Sequence, residues 1–592
     1  MPGISQFEMS IHTDQPLRPC HSLINQPDIS IKRFKHIAIA ITVLLVTACT
    51  GSSSTNNNQN PVSGPIDYIE PSYEATDESA ARLLAQATFG PTVADIARVK
   101  AMGITEWINN QMQQTGSSHL EYAFENGGST SDAQVRTDKW WLDAIDAEDQ
   151  LRARVAFALS QIFVVSDVQQ TLGNAQLGIT DYYDMLRGHA FGNFRDLLED
   201  VTLSPVMGVY LSMLQNAKAD PITNTRADEN FAREVMQLFS IGLHELNIDG
   251  SQKLVDGKPV PTYTQEHVSE YARVFTGWSY ANTDRWDAQP LSQYADFLNP
   301  MIPYPEYHDT GEKRLLGNVV VPAGQSAEDD LKIALDSLFD HPNVGPFIVK
   351  QLIQRLVTSN PTPEYVARVA RRFNDNGNGE RGDLGAVVRA ILLDDESRIY
   401  DPNNRNFGKL REPLLRMSHL WRAFDAQLAE GDIAYDTNAP QLKNVTSAFG
   451  QAPLSAASVF NFYHPDYSPL GVLRNEGLLS PESEIYTENY ILSANTLINT
   501  YIHKFYDAGP NAGGVRFQTY INIRPQAELA SDIDALLNEL DLVLMSNQMP
   551  DDMRAILSEH LELLPDDDEG RAQRVLDAIS LIMASPSYLV QK

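Results

Sequence analysis

The sequence predicts a mainly α-helical fold: a large multi-helix domain with one or two small β-hairpins and long loops. Three observations carry this. Apolar residues recur at the helical period through most of the chain after residue 76. Strand-like patterning is confined to two short places. With 592 residues and 43% hydrophobic content the chain can bury a large core, and length alone allows two to four domains.

In order along the chain, 79–87 and 93–102 read as helices separated by Phe89-Gly90-Pro91-Thr92, where Gly and Pro interrupt and Thr92 caps the second. Amphipathic stretches follow at 133–147, 150–166, 180–190, 192–201, 228–241 and 264–276, then at 327–340, 344–358, 363–374, 383–394 and 409–426. Four more, at 484–505, 531–546, 550–563 and 569–585, complete the chain. Lys253 to Val260 reads as a hairpin turning on Asp256-Gly257, with Pro259 restricting it to an edge, and Arg314 to Val321 as a short strand pair. Long loops are expected near 281–326 and 430–483. No fixed-period repeat is visible.

Ahead of the helices, Lys32, Arg33 and Lys35 precede the uncharged run Ile37 to Val46 and then Thr47-Ala48-Cys49. This is the layout of an export signal, and ten apolar positions are too few to span a bilayer. Leu45-Val46-Thr47-Ala48-Cys49 resembles a bacterial lipobox, which implies cleavage before Cys49 and its lipidation. Thr50 to Asn60 is a polar tether of the kind such an anchor uses. The expected organisation is therefore a signal at 1–48 with an over-long N-terminal extension, a lipidated Cys49 and tether at 49–75, and the helical domain at 76–592. Thr50 in place of Asp resembles the sorting habit of outer-membrane lipoproteins, facing the periplasm or the cell surface. The membrane, reached through this lipid, is then one partner.

Lys and Arg number 45 against 77 Asp and Glu, a formal net charge of -32. That balance excludes nucleic acid as a partner, since phosphate backbones are bound by clustered cations. Cys20 and Cys49 are the two cysteines, so no Cys-rich zinc site or disulfide framework forms. The ten histidines after Cys49 contain no His-Glu-x-x-His or His-x-His pair, and no metal site or cofactor is indicated. A nucleophile elbow and a Walker loop are both missing. Gly377-Asn-Gly379-Glu-Arg-Gly382 matches the dinucleotide fingerprint in letters but follows a helical stretch, so it reads as a loop ending at the capping residue Asp383.

The segment Asp228 to Glu245 is the most patterned. On a helix, Asn230, Arg233, Glu234 and Gln237 share one narrow stripe opposite Phe231, Val235, Met236 and Phe239. A solvated stripe with an internal ion pair is one reading. The other has Gly242 ending the helix so that His244 turns back over the stripe and builds a polar pocket suited to a polar ligand or to acid-base work. Tyr263 to Trp278 reads as a further helix capped by Thr264 and ended by Gly277, with His267 and Trp278 as binding candidates. His464, in the Pro-bounded loop Asn461 to Tyr467, is another.

Together these segments resemble a bacterial family known only as domain of unknown function 1800. The resemblance rests on Ala81-Arg-Leu-Leu-Ala-Gln-Ala-Thr-Phe-Gly90, Val155 to Ser160, Glu229 to Gly242, Tyr263 to Trp278, Val349 to Leu352 and Arg381 to Leu384. It continues through Lys409-Leu-Arg-Glu-Pro413, Ala457 to Pro465 and Ala584 to Tyr588. It implies one large helical domain and an exported protein, and it brings no reaction or catalytic residue. It also implies a partner, a second exported protein of the sulfatase and alkaline phosphatase group. Some members carry Trp-His-Asn-His where this chain has Phe157 to Ile162, so no metal role carries over.

The function expected is a lipid-anchored cell-envelope protein, a helical scaffold or binding module for a partner protein or polymer. The alternative is a hydrolase-like enzyme with a pocket on Asn230, Arg233, Glu234 and His244, joined by His267, His308 or His464. A third reading is a carbohydrate surface using Trp140, Trp141, Trp278 and Tyr280.

Overall fold

Helices make up 53% of the computed structural model, which describes residues 71–427, 445–511, 513–514 and 519–592. All of these lie in one compact unit, Pro65–Lys592. The expected export signal, Cys49 and most of the tether fall outside the described residues, as does part of the loop expected at 430–483.

The first helix, Asp77–Ala87, starts where Thr76 Oγ1 accepts from the Ser79 amide at 3.2 Å and Ser79 Oγ accepts from the Thr76 amide at 2.8 Å. That reciprocal box satisfies donors a helix start leaves free. Thr92 caps Val93–Met102 and Asp383 caps Leu384–Leu392, as their positions predict. Ile104–Gln113, His119–Glu125 and Pro205–Tyr210 are helices the periodicity missed. They are short, and Ile104–Gln113 is rich in amides, so the apolar stripe has little room to repeat.

Three expected helices are clearly shorter than their patterns. The one expected at 150–166 ends at Ser160. The one expected at 228–241 is Asn230–Gln237, after which the Ile241 and Gly242 amides both donate to Met236 O at 3.0 Å and Gly242 takes φ 71°. The one expected at 409–426 begins only at Pro413. Proline keeps the preceding residue extended, and Lys409–Leu410 pairs antiparallel with Val590–Gln591 instead.

Among the described residues there are five two-stranded sheets, more than the one or two hairpins expected. Leu254–Val255 pairs with Lys258–Pro259 through Asp256 and Gly257, both at positive φ, as a tight hairpin requires. Lys313–Arg314 pairs with Val320–Val321. The others, including parallel Tyr506–Asp507 with Ile521–Asn522, have two residues per strand, too few for alternation to register.

The core is threaded by edge-to-face rings: Phe89 on Trp140 at 5.3 Å, Trp140 on Trp141 at 5.0 Å, Trp141 on Trp421 at 5.0 Å and Trp421 on Tyr501 at 5.4 Å. This overturns the carbohydrate surface expected from Trp140, Trp141, Trp278 and Tyr280, whose exposures are 3%, 1%, 2% and 0%. Apolar rings gain more in the core than at the surface. No helix among the described residues is long and apolar enough to cross a membrane.

Candidate functional site

The stripe on Asn230–Gln237 exists, but its polar groups are engaged separately. Asn230 is exposed. Arg233 donates to Glu229 at 3.3 Å and to Gln265 at 3.0 Å. Glu234 is 7% exposed, its Oε2 has no partner among the described residues, and burial raises its pKa against the opposing charge of Arg233. His244 meets Gln252 across the adjoining turn at 3.3 Å. No side-chain hydrogen bond joins any two of Asn230, Arg233, Glu234 and His244. His267 Nδ1 accepts from the Thr264 amide at 3.1 Å and so serves the helix start. Trp278 is buried, and its Nε1 has no partner among the described residues. His308 is buried between Thr276 O, 2.9 Å away, and Asp330, 3.1 Å away. His464 is exposed, lies on Phe460 and pairs with Glu484 at 3.0 Å.

The concave site lies elsewhere. A cleft of about 1400 Å³ opens between the start of Val93–Met102, the loop 114–117, the end of Gln134–Asp146 and the chain after Pro413–Ala423. Seven carboxylates line it against three cations, Arg98, Lys139 and Arg422. Asp95, Asp146, Glu148, Asp425 and Glu539 stand on its accessible walls. Trp421 and Gln526 also line it; both side chains are at least nine-tenths buried, and Trp421 Nε1 and Gln526 Oε1, both covered, have no protein partner among the described residues. Gln526 is oriented by its own Nε2, which donates to Glu539 at 2.7 Å.

One wall is fastened by Arg422, which donates to Gly90 O at 2.7 Å, Ile145 O at 2.6 Å and Asp95 at 2.8 Å. The floor is an ion network. Lys139 donates to Ser117 Oγ at 2.6 Å and Asp143 at 2.5 Å; Arg187 pairs with Asp143 and, at 2.8 Å, with Asp149. His119 lies 2.9 Å from the same Asp143 carboxylate. Burial alone raises the Asp143 pKa, but the surrounding donors and cations win and hold it far below the carboxylate range. Burial lowers the His119 pKa against the pull of Asp143. Apart from His119, the network sets two cations against two carboxylates. Ser117 beside Lys139 has the look of a nucleophile and its base, yet Lys139 is committed to Asp143. Gly116 is required here, because a side chain would overlap the Arg187 guanidinium and the Asp149 carboxylate.

A second network is sealed in the core. Arg154, Arg355 and Lys409 are 0–2% exposed, around Glu412 and Glu482 at 0% and 1%. Lys409 lies 3.2 Å from Glu482 and 3.6 Å from Glu412, and Gln161 and Gln451 donate to Glu412 at 2.6 and 2.5 Å. Burial raises the pKa of Glu482, Glu412 adds to the rise, and Lys409 opposes it.

The cleft residues were missed because they come from separate elements. One signal was present: Arg136, Lys139 and Asp143 lie in phase with Trp140 and Ala144 on a single helix face, so these charges had to be buried with the rings. Among the described residues no group of three or more His, Cys, Asp or Glu is placed to hold a metal ion.

The model of a family described as "Protein of unknown function (DUF1800)" matches residues 82–590. No curated protein matches the chain, and no solved structure does.

Proposed function

This chain belongs to the DUF1800 family, which brings no reaction with it, and from the chemistry of its cleft we propose a lipid-anchored envelope protein that binds a neutral, polyhydroxylated polymer. The supporting observation is the cleft itself: open, rich in carboxylates and amides, and lined by Trp421 and Gln526, each with a covered polar atom that has no protein partner among the described residues. Hydroxyl-bearing chains donate and accept at once, which suits such a wall. The excess of carboxylates disfavours polyanions. A lipid on Cys49 holds the domain at the outer membrane, and an exported protein of the sulfatase and phosphatase group is a partner that would act on the same polymer.

Calorimetric titration of the full protein in detergent tests this. Neutral glucan oligosaccharides are expected to bind and polygalacturonate not to, with Gln526→Ala weakening binding by about tenfold, on the order of 1.4 kcal/mol. Failure of every neutral oligosaccharide to bind overturns the reading. Loss of palmitate labelling in Cys49→Ser is expected, and persistent labelling overturns the anchor. The hydrolase-like alternative draws on Glu234, whose raised pKa and free Oε2 suit a general acid. Release of reducing ends by the wild type, lost in Glu234→Gln, favours that alternative.

A further inference from the structure

Five large apolar side chains stand in water near the stem, the first described residues of the domain. Leu470, Val472 and Leu473 are 84%, 70% and 37% exposed, and Ile399 and Tyr400 are 60% and 40% exposed. Short links join them to the stem. The Tyr73 hydroxyl donates to the Asp395 carboxylate at 2.6 Å, and the Ile399 amide donates to Asp395 O at 2.7 Å. Next to Asp395, Glu396 accepts from Thr362 Oγ1. Two residues before Thr362, the Asn360 side chain grips Leu479, accepting from its amide at 2.8 Å and donating to its carbonyl at 2.9 Å. The stem, Ile399 and the loop 468–479 therefore belong to one region of the surface.

That loop is pinned from within. Gly471 and Gly477, at φ 117° and 71°, bracket the short helix Val472–Asn475. The Leu478 amide donates to Leu473 O at 2.8 Å, Ser468 Oγ donates to Leu478 O at 2.7 Å, and Arg474 Nε donates to Ser468 O at 3.0 Å. With these groups satisfied inside the loop, little chain entropy is left to lose when Leu470, Val472 and Leu473 are covered. Apolar side chains fixed in water gain from an apolar cover.

We propose that this face rests on the bilayer, with Leu470, Val472 and Leu473 entering the leaflet that holds the Cys49 lipid. The proposal rests on the lipid-anchor reading and adds to it the direction in which the domain faces. Position selects a leaflet as the cover: the chain from Cys49 to Pro71 spans at most about 75 Å, and it meets the domain beside these apolar residues. Exposed charges at 395–405 and 468–479 are Asp395, Asp401 and Glu476 against Arg405 and Arg474. Without an excess of cations the face suits a zwitterionic phosphatidylethanolamine leaflet over an anionic one.

The test uses the full lipidated protein carrying a bimane label at Leu470→Cys, in vesicles of phosphatidylethanolamine and phosphatidylcholine with a nitroxide-bearing lipid as quencher. Flotation with the vesicles reports the anchor, and a protein that does not float ends the anchor reading and this proposal with it. In floating protein, emission from position 470 is expected to fall about twofold, and that of a label at Ile222→Cys, 94% exposed in the native chain, to fall little. Phosphatidylglycerol in place of phosphatidylethanolamine is expected to lessen the quenching, and stronger quenching there overturns the zwitterionic leaflet. Quenching at 470 no greater than at 222 overturns the proposal while the anchor stands. A label at 470 shielded from aqueous iodide yet untouched by the nitroxide lipid also overturns it, since a protein then covers the tip. Should Leu470→Cys not fold, Val472→Cys carries the same readout.

Discussion

The floor of the cleft and the sealed core network use the same materials and differ in balance and access. At the cleft, Lys139 and Arg187 face Asp143 and Asp149, and Ser117 carries the network to the surface. In the core, Arg154, Arg355 and Lys409 face only Glu412 and Glu482, and Arg154 Nε, Arg154 Nη1 and Arg355 Nε have no protein partner among the described residues. A balanced network beside water can lend groups to a ligand. A cation-rich one without access acts on the fold, because each carboxylate there restrains more than one positive charge. On the proposed function, binding goes with the first and stability with the second.

Removing one carboxylate from each separates the two most sharply. Glu412→Ala leaves three buried cations with one counter-charge and is expected to cost about 3–5 kcal/mol, read as a fall in the urea midpoint. Asp143→Ala removes the acceptor shared by Lys139, Arg187 and His119. Its cost is expected at the lower end, on the order of 3 kcal/mol, because Lys139 borders the cleft and can turn to water. Oligosaccharide affinity is expected to fall in Asp143→Ala and to hold in Glu412→Ala under folding conditions. The reverse pattern breaks the assignment.

The networks also respond to pH with opposite sign. Burial raises Glu482 above its ordinary 4.5, so the folded state keeps a proton the unfolded chain releases. Its contribution is most favourable below about 4.5 and is lost as pH rises through the raised value. Asp143 is held below its ordinary 3.8, so its contribution is complete above 3.8 and is lost as pH falls below that. Urea midpoints of Glu482→Gln are expected to gain on wild type as pH rises from 4.5, while the Asp143→Asn deficit shrinks as pH falls below 3.8. Parallel profiles for the two variants would show that the networks are not distinct in this respect.

Much of the fold was legible because it is helical: an apolar period of 3.6 residues needs only ten or so positions, and Thr92 and Asp383 mark helix starts by chemistry alone. Paired strands of two residues carry no period, and helices as short as Pro205–Tyr210 barely carry one. The site was less legible. The polar residues of Asn230–Gln237 stand together in one helix, whereas the floor of the cleft joins Ser117, Lys139, Asp149 and Arg187 from four segments. Sequence spacing registers neighbours along a helix, and that floor depends on contacts up to 68 positions apart. The trace it left was a charged pair, Lys139 and Asp143, in step with Trp140.

The smallest expected effect is also the most local. Gly116 carries the loop that presents Ser117, and a methyl group there would collide with the Arg187–Asp149 pair. Either the loop moves away or the pair separates, and Gly116→Ala is expected to cost about 1–3 kcal/mol, the range for overfilling a packed site. Gly188 is the control: it has helical backbone angles and nothing within 4 Å of an added Cβ. Gly188→Ala is expected to be neutral or to gain up to about 1 kcal/mol by restricting the unfolded chain. If the floor is bound to the cleft through this loop, Gly116→Ala weakens oligosaccharide binding along with stability and Gly188→Ala changes neither for the worse. A Gly116→Ala protein that loses stability but binds as wild type places the ligand on the Trp421 and Gln526 side alone.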